Sequence, residues 1–153
     1  MKLLYTLVFM LTLSTYNVKA QAVTKKHSTH VFYASNVKAP LTAKELKMLK
    51  DVYADQLDKE VLNRPQRLKD IKNILRNRVE IVEYKNKDLS YFPALSSMPL
   101  FNIYNKALTR DAFFSPETFN VLKYNLPFYG KKRVTYHIDN SAYLLTIIPQ
   151  HEQ

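Results

Sequence analysis

Gly130 is the only glycine in a chain of 153 residues, and that scarcity constrains the backbone before any other feature does. Turns that need a positive φ must fall on asparagine or be avoided, because most side chains clash in that region. Chemistries built on close backbone approach are excluded as well. There is no glycine-rich phosphate loop, no dinucleotide fingerprint and no nucleophile elbow. Cysteine is absent altogether, which removes disulfides, thiolate metal sites and thiol nucleophiles together. Packing alone must hold the fold.

The N-terminus reads as a secretory signal. Lys2 supplies the positive start, Leu3 to Leu13 is a run of apolar residues and threonine, and Val18-Lys19-Ala20 ends on the small side chain that a signal peptidase selects. The run is shorter than the roughly 20 apolar residues a membrane span requires. Cleavage after Ala20 removes Lys2 and Lys19 with the first 20 of the 153 residues, leaving 133 residues with a formal charge of +8 instead of +10. That length suits one domain. A basic, cysteine-free exported domain fits a bacterial envelope, with the product in the periplasm or secreted. The expected organisation is a signal peptide over 1–20, a polar lead-in over 21–40 with an edge strand near His30–Ala34, and a single α+β domain over 41–150.

Helical order begins at Leu41-Thr42-Ala43-Lys44-Glu45-Leu46, where Thr42 and Glu45 have the spacing of a capping box. Leu46, Leu49, Tyr53, Leu57 and Val61 then recur at three and four, predicting one helix to about Leu62. Asn63-Arg64-Pro65 interrupts it, and Pro65 suits the first turn of a second helix whose apolar face is Leu68, Ile71, Ile74 and Leu75. Val79 to Tyr84 is rich in β-branched and aromatic residues and predicts a strand. The stretch from Asn86 to Ser115 is interrupted by Pro93 and Pro99 and reads as ordered loop, with a short strand near Leu100–Tyr104. Ser115-Pro116-Glu117 has the residues of a helix start, predicting a short helix to about Tyr124. Val134 to Ile138 and Tyr143 to Ile148, joined by Asp139-Asn140-Ser141, predict a C-terminal β-hairpin. The sum is an α+β fold: an N-terminal helical hairpin packed on a small antiparallel sheet that ends in a β-hairpin.

Candidate chemistry is sparse. Of the four histidines, His27 and His30 are spaced for a metal but have no third ligand in view, His137 is a strand residue and His151 lies in the tail. Glu83-Tyr84-Lys85 has the acid-x-lysine form of one nuclease superfamily, yet its partner acid would be Asp70 on a helix, the wrong element. Wet positions on an edge strand account for Glu80 and Glu83. Ser96-Ser97 has no glycine beside it to form an oxyanion site. No catalytic residue, metal ligand or cofactor is assigned.

Basic charge is the stronger signal. At 100° per residue Lys69, Lys72 and Arg76 share one sector of the second helix and predict a positive ridge. Lys131, Lys132 and Arg133 form a second cluster just after Phe128 and Tyr129. Eleven tyrosines and eight phenylalanines, many in the irregular half, are expected to pin long loops onto the sheet. The expectation is a small exported, non-enzymatic envelope protein, a binding or accessory module that uses these two basic clusters to hold an anionic envelope component or another envelope protein. Nucleic acid fits less well in that compartment. The alternative is a cysteine-free periplasmic hydrolase in which His137 meets Glu80, Glu83 or Asp139 only in the fold.

Overall fold

The computed structural model describes residues 33–85 and 88–153. The expected signal segment, the expected lead-in as far as residue 32, His27, His30 and most of the strand expected at 30–34 lie outside them. Of that strand, Tyr33 and Ala34 are non-strand and lead into a 3₁₀ turn over Ser35–Lys38.

Helix α1 spans Ala43–Tyr53 and opens on the expected capping box. Thr42 Oγ1 accepts from the Glu45 N–H at 3.1 Å, and Glu45 Oε2 accepts from the Thr42 N–H at 2.8 Å. The helix does not run unbroken to Leu62. Ala54 takes φ 45°, ψ −128°, a 3₁₀ turn covers Ala54–Gln56, and Asp58–Leu62 winds as a π-helix. The apolar spacing itself supplies the reason. Steps of four advance about 400° on an α-helix, so a stripe through Leu49, Tyr53, Leu57 and Val61 rotates away by about 40° per step. The break and the wider π turn reverse that drift, and all four side chains reach the core.

Helix α2 spans Pro65–Asn73 with Pro65 in its first turn, and a π-helical turn over Ile74–Arg78 carries the chain into the sheet. Three strands form that sheet: β1 (Val79–Glu83), β2 (Val134–His137) and β3 (Tyr143–Ile147). Their order is β1-β3-β2, antiparallel throughout, with Ile81 and Tyr136 both opposite Leu145. The β2–β3 hairpin turns through Asn140 at φ 54°, the role expected of asparagine in a chain short of glycine. Two helices packed on a three-stranded antiparallel sheet make this the predicted α+β fold. Leu145, Ile147, Tyr136 and Ile138 line the core face of the sheet against Leu49, Val52, Leu57, Val61 and Ile71.

Two predicted elements are replaced by irregular chain. Leu100 makes only an isolated bridge to Tyr124 instead of starting a strand. Ser115 begins a single turn, with its carbonyl accepting from the Thr118 and Phe119 N–H groups. That turn stops because Asn120 is buried in an extended conformation, donating to the Met48 carbonyl at 2.9 Å and capping a 3₁₀ turn over Val121–Lys123. Aromatic pairs hold these loops as expected: Phe114 packs on Phe119 and Tyr143, and Tyr53 meets Phe101 and Tyr104.

Candidate functional site

Two of the three cations of the expected basic ridge, Lys72 and Arg76, are taken up by the fold. Lys72 is 8% exposed and donates to the Ala39 carbonyl at 2.7 Å. Arg76 grips Glu45 with two parallel hydrogen bonds, Nε to Oε1 at 2.6 Å and Nη2 to Oε2 at 2.7 Å. The same guanidinium donates to the Pro40 and Ala39 carbonyls and to that of Asn36. Together the two cations fasten the 36–40 segment across α1 and α2. Arg76 holds the Glu45 carboxyl below its ordinary range, against burial, which acts in the opposite direction. Lys69 is exposed and lies 4.8 Å over the Tyr33 ring. Tyr33 in turn donates to Asp70, and burial with that carboxylate pushes its phenol up to about 12.

Lys131 and Lys132 are exposed on the loop before β2. Arg133 is turned toward carboxylates, 3.2 Å from Glu152 and 3.9 Å from Glu80. Lys72, Arg76 and Arg133 thus have partners within the fold, while Lys69, Lys131 and Lys132 are exposed.

A different cation faces open space. Between α2 and the 122–129 segment lies a cleft of about 410 Å³, with Ile71, Ile74, Phe101, Leu126 and Phe128 among its walls and Arg67 and Asn125 as its polar groups. Tyr53 and Tyr124 are buried at its base, and Tyr129, 75% exposed, stands at its mouth. The Arg67 guanidinium lies 5.5 Å over the Tyr53 ring and donates to its hydroxyl at 3.4 Å. Its nearest carboxylate, Glu60, sits 3.5 Å away but is shared with Arg64 at 3.2 Å and with the Tyr104 hydroxyl. One carboxylate shared between two guanidinium groups leaves Arg67 incompletely neutralised beside an apolar cavity, with Asp70 acting on Tyr129 from the same side. Such a site suits a flat or branched apolar group carrying an anion, with the walls supplying burial and Arg67 supplying orientation.

Arg67 is one of the basic residues of the second helix but lies outside the predicted ridge of Lys69, Lys72 and Arg76. Its distinguishing signal is angular: Arg67 lies four and seven residues before Ile71 and Ile74, which places it within the apolar stripe. Phe128 and Tyr129 were visible only as neighbours of the lysine cluster.

The residues of the acid–histidine alternative go to separate partners. His137 Nδ1 donates to the Phe92 carbonyl at 2.7 Å, Glu80 faces Arg133, and Asp139 accepts from the Ser96 N–H and hydroxyl at 2.8 and 2.5 Å. Burial raises the Asp139 pKa, but the Ser96 hydrogen bonds prevail and hold it low. Glu83 and His137 border the same broad depression at the end of the sheet, yet strand register sets them on opposite faces: Glu83 with Tyr143, His137 with Leu144. Among the described residues no three histidine, aspartate or glutamate side chains gather to hold a metal ion, and no helix is long and apolar enough to cross a membrane. The chain matches no family model, no curated protein and no solved structure.

Proposed function

We propose that this protein is a small exported binding module of a bacterial envelope, non-enzymatic, with the Arg67 cleft as its binding site. Its ligand is an anionic group carried on an apolar body, either free or presented by a partner protein. The observation that carries the reading is the pairing of an under-neutralised guanidinium with aromatic and aliphatic walls in one cleft. Lys131 and Lys132 lie immediately after Tyr129 and Gly130 in the chain and add long-range attraction for an anion approaching that mouth. Export through the N-terminal signal supports the compartment, and a mature product beginning at Gln21 by mass spectrometry checks it; retention of Met1 overturns it.

The binding claim is tested with 1-anilinonaphthalene-8-sulfonate, an aromatic anion that fluoresces when its rings leave water. Saturable binding at one site per chain is expected, weakened about tenfold by Arg67→Gln, or about 1.4 kcal/mol, and weakened by salt. Affinity that is the same for Arg67→Gln and indifferent to ionic strength contradicts the proposal.

A further inference from the structure

The 110–114 stretch and the 138–140 turn of the β2–β3 hairpin border a second cavity, of about 270 Å³. Its apolar walls are Leu95, Phe114, Phe119 and Ile138, and its charged groups are Arg110, Asp111 and Asp139. Tyr124 is the one residue it shares with the lining of the Arg67 cleft. The three charges do not cancel one another. Asp111 is held by Lys123 at 2.5 Å. Arg110 donates to the Met98 and Leu95 carbonyls at 2.5 and 3.5 Å and lies 5.4 Å from the centre of the Tyr124 ring. Asp139 accepts from the Ser96 N–H and hydroxyl, while His137, which acts on it from a distance, has its Nδ1 on the Phe92 carbonyl. Among the described residues neither Arg110 nor Asp139 forms an ion pair.

Both groups also keep capacity for a ligand. A guanidinium carries more N–H donors, and a carboxylate more acceptor positions, than the two bonds that each makes here. Arg110 is exposed and Asp139 half-buried, so solvent reaches the charged end of the cavity. The Tyr124 hydroxyl lies in the field of both: burial raises its pKa, Asp111 and Asp139 add to the rise, and Arg110 opposes it. One cation and one anion without ion-pair partners, set beside apolar walls, are complementary to a zwitterion with an apolar side chain. We propose that this cavity binds a free apolar α-amino acid. Its carboxylate meets Arg110, its ammonium meets Asp139, and its side chain packs among Leu95, Phe114, Phe119 and Ile138. The volume lies below the roughly 300 Å³ at which pockets for drug-sized ligands begin, which suits so small a molecule. A simple anion or a simple amine satisfies only one of the two groups. The proposal is independent of the Arg67 cleft.

The probe is L-leucine, titrated into the ¹⁵N-labelled protein and by calorimetry. Saturable binding at one site per chain is expected, with shifts at Arg110, Phe114, Ile138 and Asp139 that spare Arg67 and Phe128. Isocaproate, which is leucine without its ammonium, and isoamylamine, which is leucine without its carboxylate, should each bind about tenfold more weakly. Asp139→Asn should weaken leucine about tenfold and leave isocaproate unchanged, whereas Arg110→Gln should weaken leucine about tenfold and leave isoamylamine unchanged. A merely structural role for either residue would weaken every ligand together. Should a variant misfold by circular dichroism, the comparison of the three ligands on the wild-type protein decides. No saturable binding of leucine, isocaproate or isoamylamine binding as tightly as leucine, or shifts centred on the Arg67 cleft each overturns the proposal.

Discussion

Arg67 and Arg76 lie on the same helical segment and differ in what they face. Arg76 holds a carboxylate to itself in two-pronged geometry and three backbone carbonyls besides, whereas Arg67 shares Glu60 and borders a cleft. This difference separates a residue that builds the fold from one available to a ligand. Because Arg76 depresses the Glu45 pKa, the folded state gives up the Glu45 proton more readily than the unfolded chain. The stabilisation is complete above the unfolded carboxyl's pKa of about 4.3 and is lost as pH falls through the lower, folded value. Glu45→Gln should lower stability at neutral pH by about 3 kcal/mol, as expected on breaking a largely buried ion pair. It should also reduce the loss of melting temperature between pH 6 and pH 3 relative to the wild type. An acid limb equally steep in the variant would show that other carboxylates govern it. At the same scale, the lone glycine does not sit at a positive φ. A side chain at Gly130 would approach the Pro127 carbonyl to 3.0 Å, while the positive φ angles fall on Asn140 and Ala54.

Element by element, the parts legible in the sequence are those set by local chemistry. Thr42 and Glu45 fix the start of α1, Pro65 fixes the start of α2, and the alternation around Asp139-Asn140-Ser141 fixes the terminal hairpin. Each signal lies within a few residues of the structure it produces. The parts that were not legible depend on distant partners. The Ser115 signal does start a turn, but the bond from Asn120 to the Met48 carbonyl, 72 residues away, outweighs a short helix. The break at Ala54 was likewise hidden, because a stripe of four-residue steps looks continuous until its angular drift is set against a fixed core. Asn120 is 1% exposed and bonded at both ends of its amide. Asn120→Ala should therefore cost about 2–3 kcal/mol, since the Met48 carbonyl loses its donor in a dry site. Chemical denaturation gives the value; a change below about 0.5 kcal/mol would mean that water replaces the amide.

For the whole molecule, a cysteine-free chain closes one core from two helices, three strands and aromatic-pinned loops, and the Arg67 cleft opens beside it. The binding residues were only partly legible, because net charge reveals how many cations a chain carries and not which of them are neutralised inside it. Lys72 and Arg76 looked like a surface ridge until the 36–40 segment was laid across them. Arg67 lay outside the predicted ridge, four residues before Ile71 on the apolar side of the helix. The central claim is that Arg67, and not the α2 ridge, meets an anionic ligand. Its most direct test is a ¹H–¹⁵N map of the protein titrated with 1-anilinonaphthalene-8-sulfonate. Saturable shifts should centre on Arg67, Asn125, Phe128 and Tyr129 and spare Lys72 and Arg76; shifts centred on Lys72 and Arg76, or no saturable shifts at all, would contradict it.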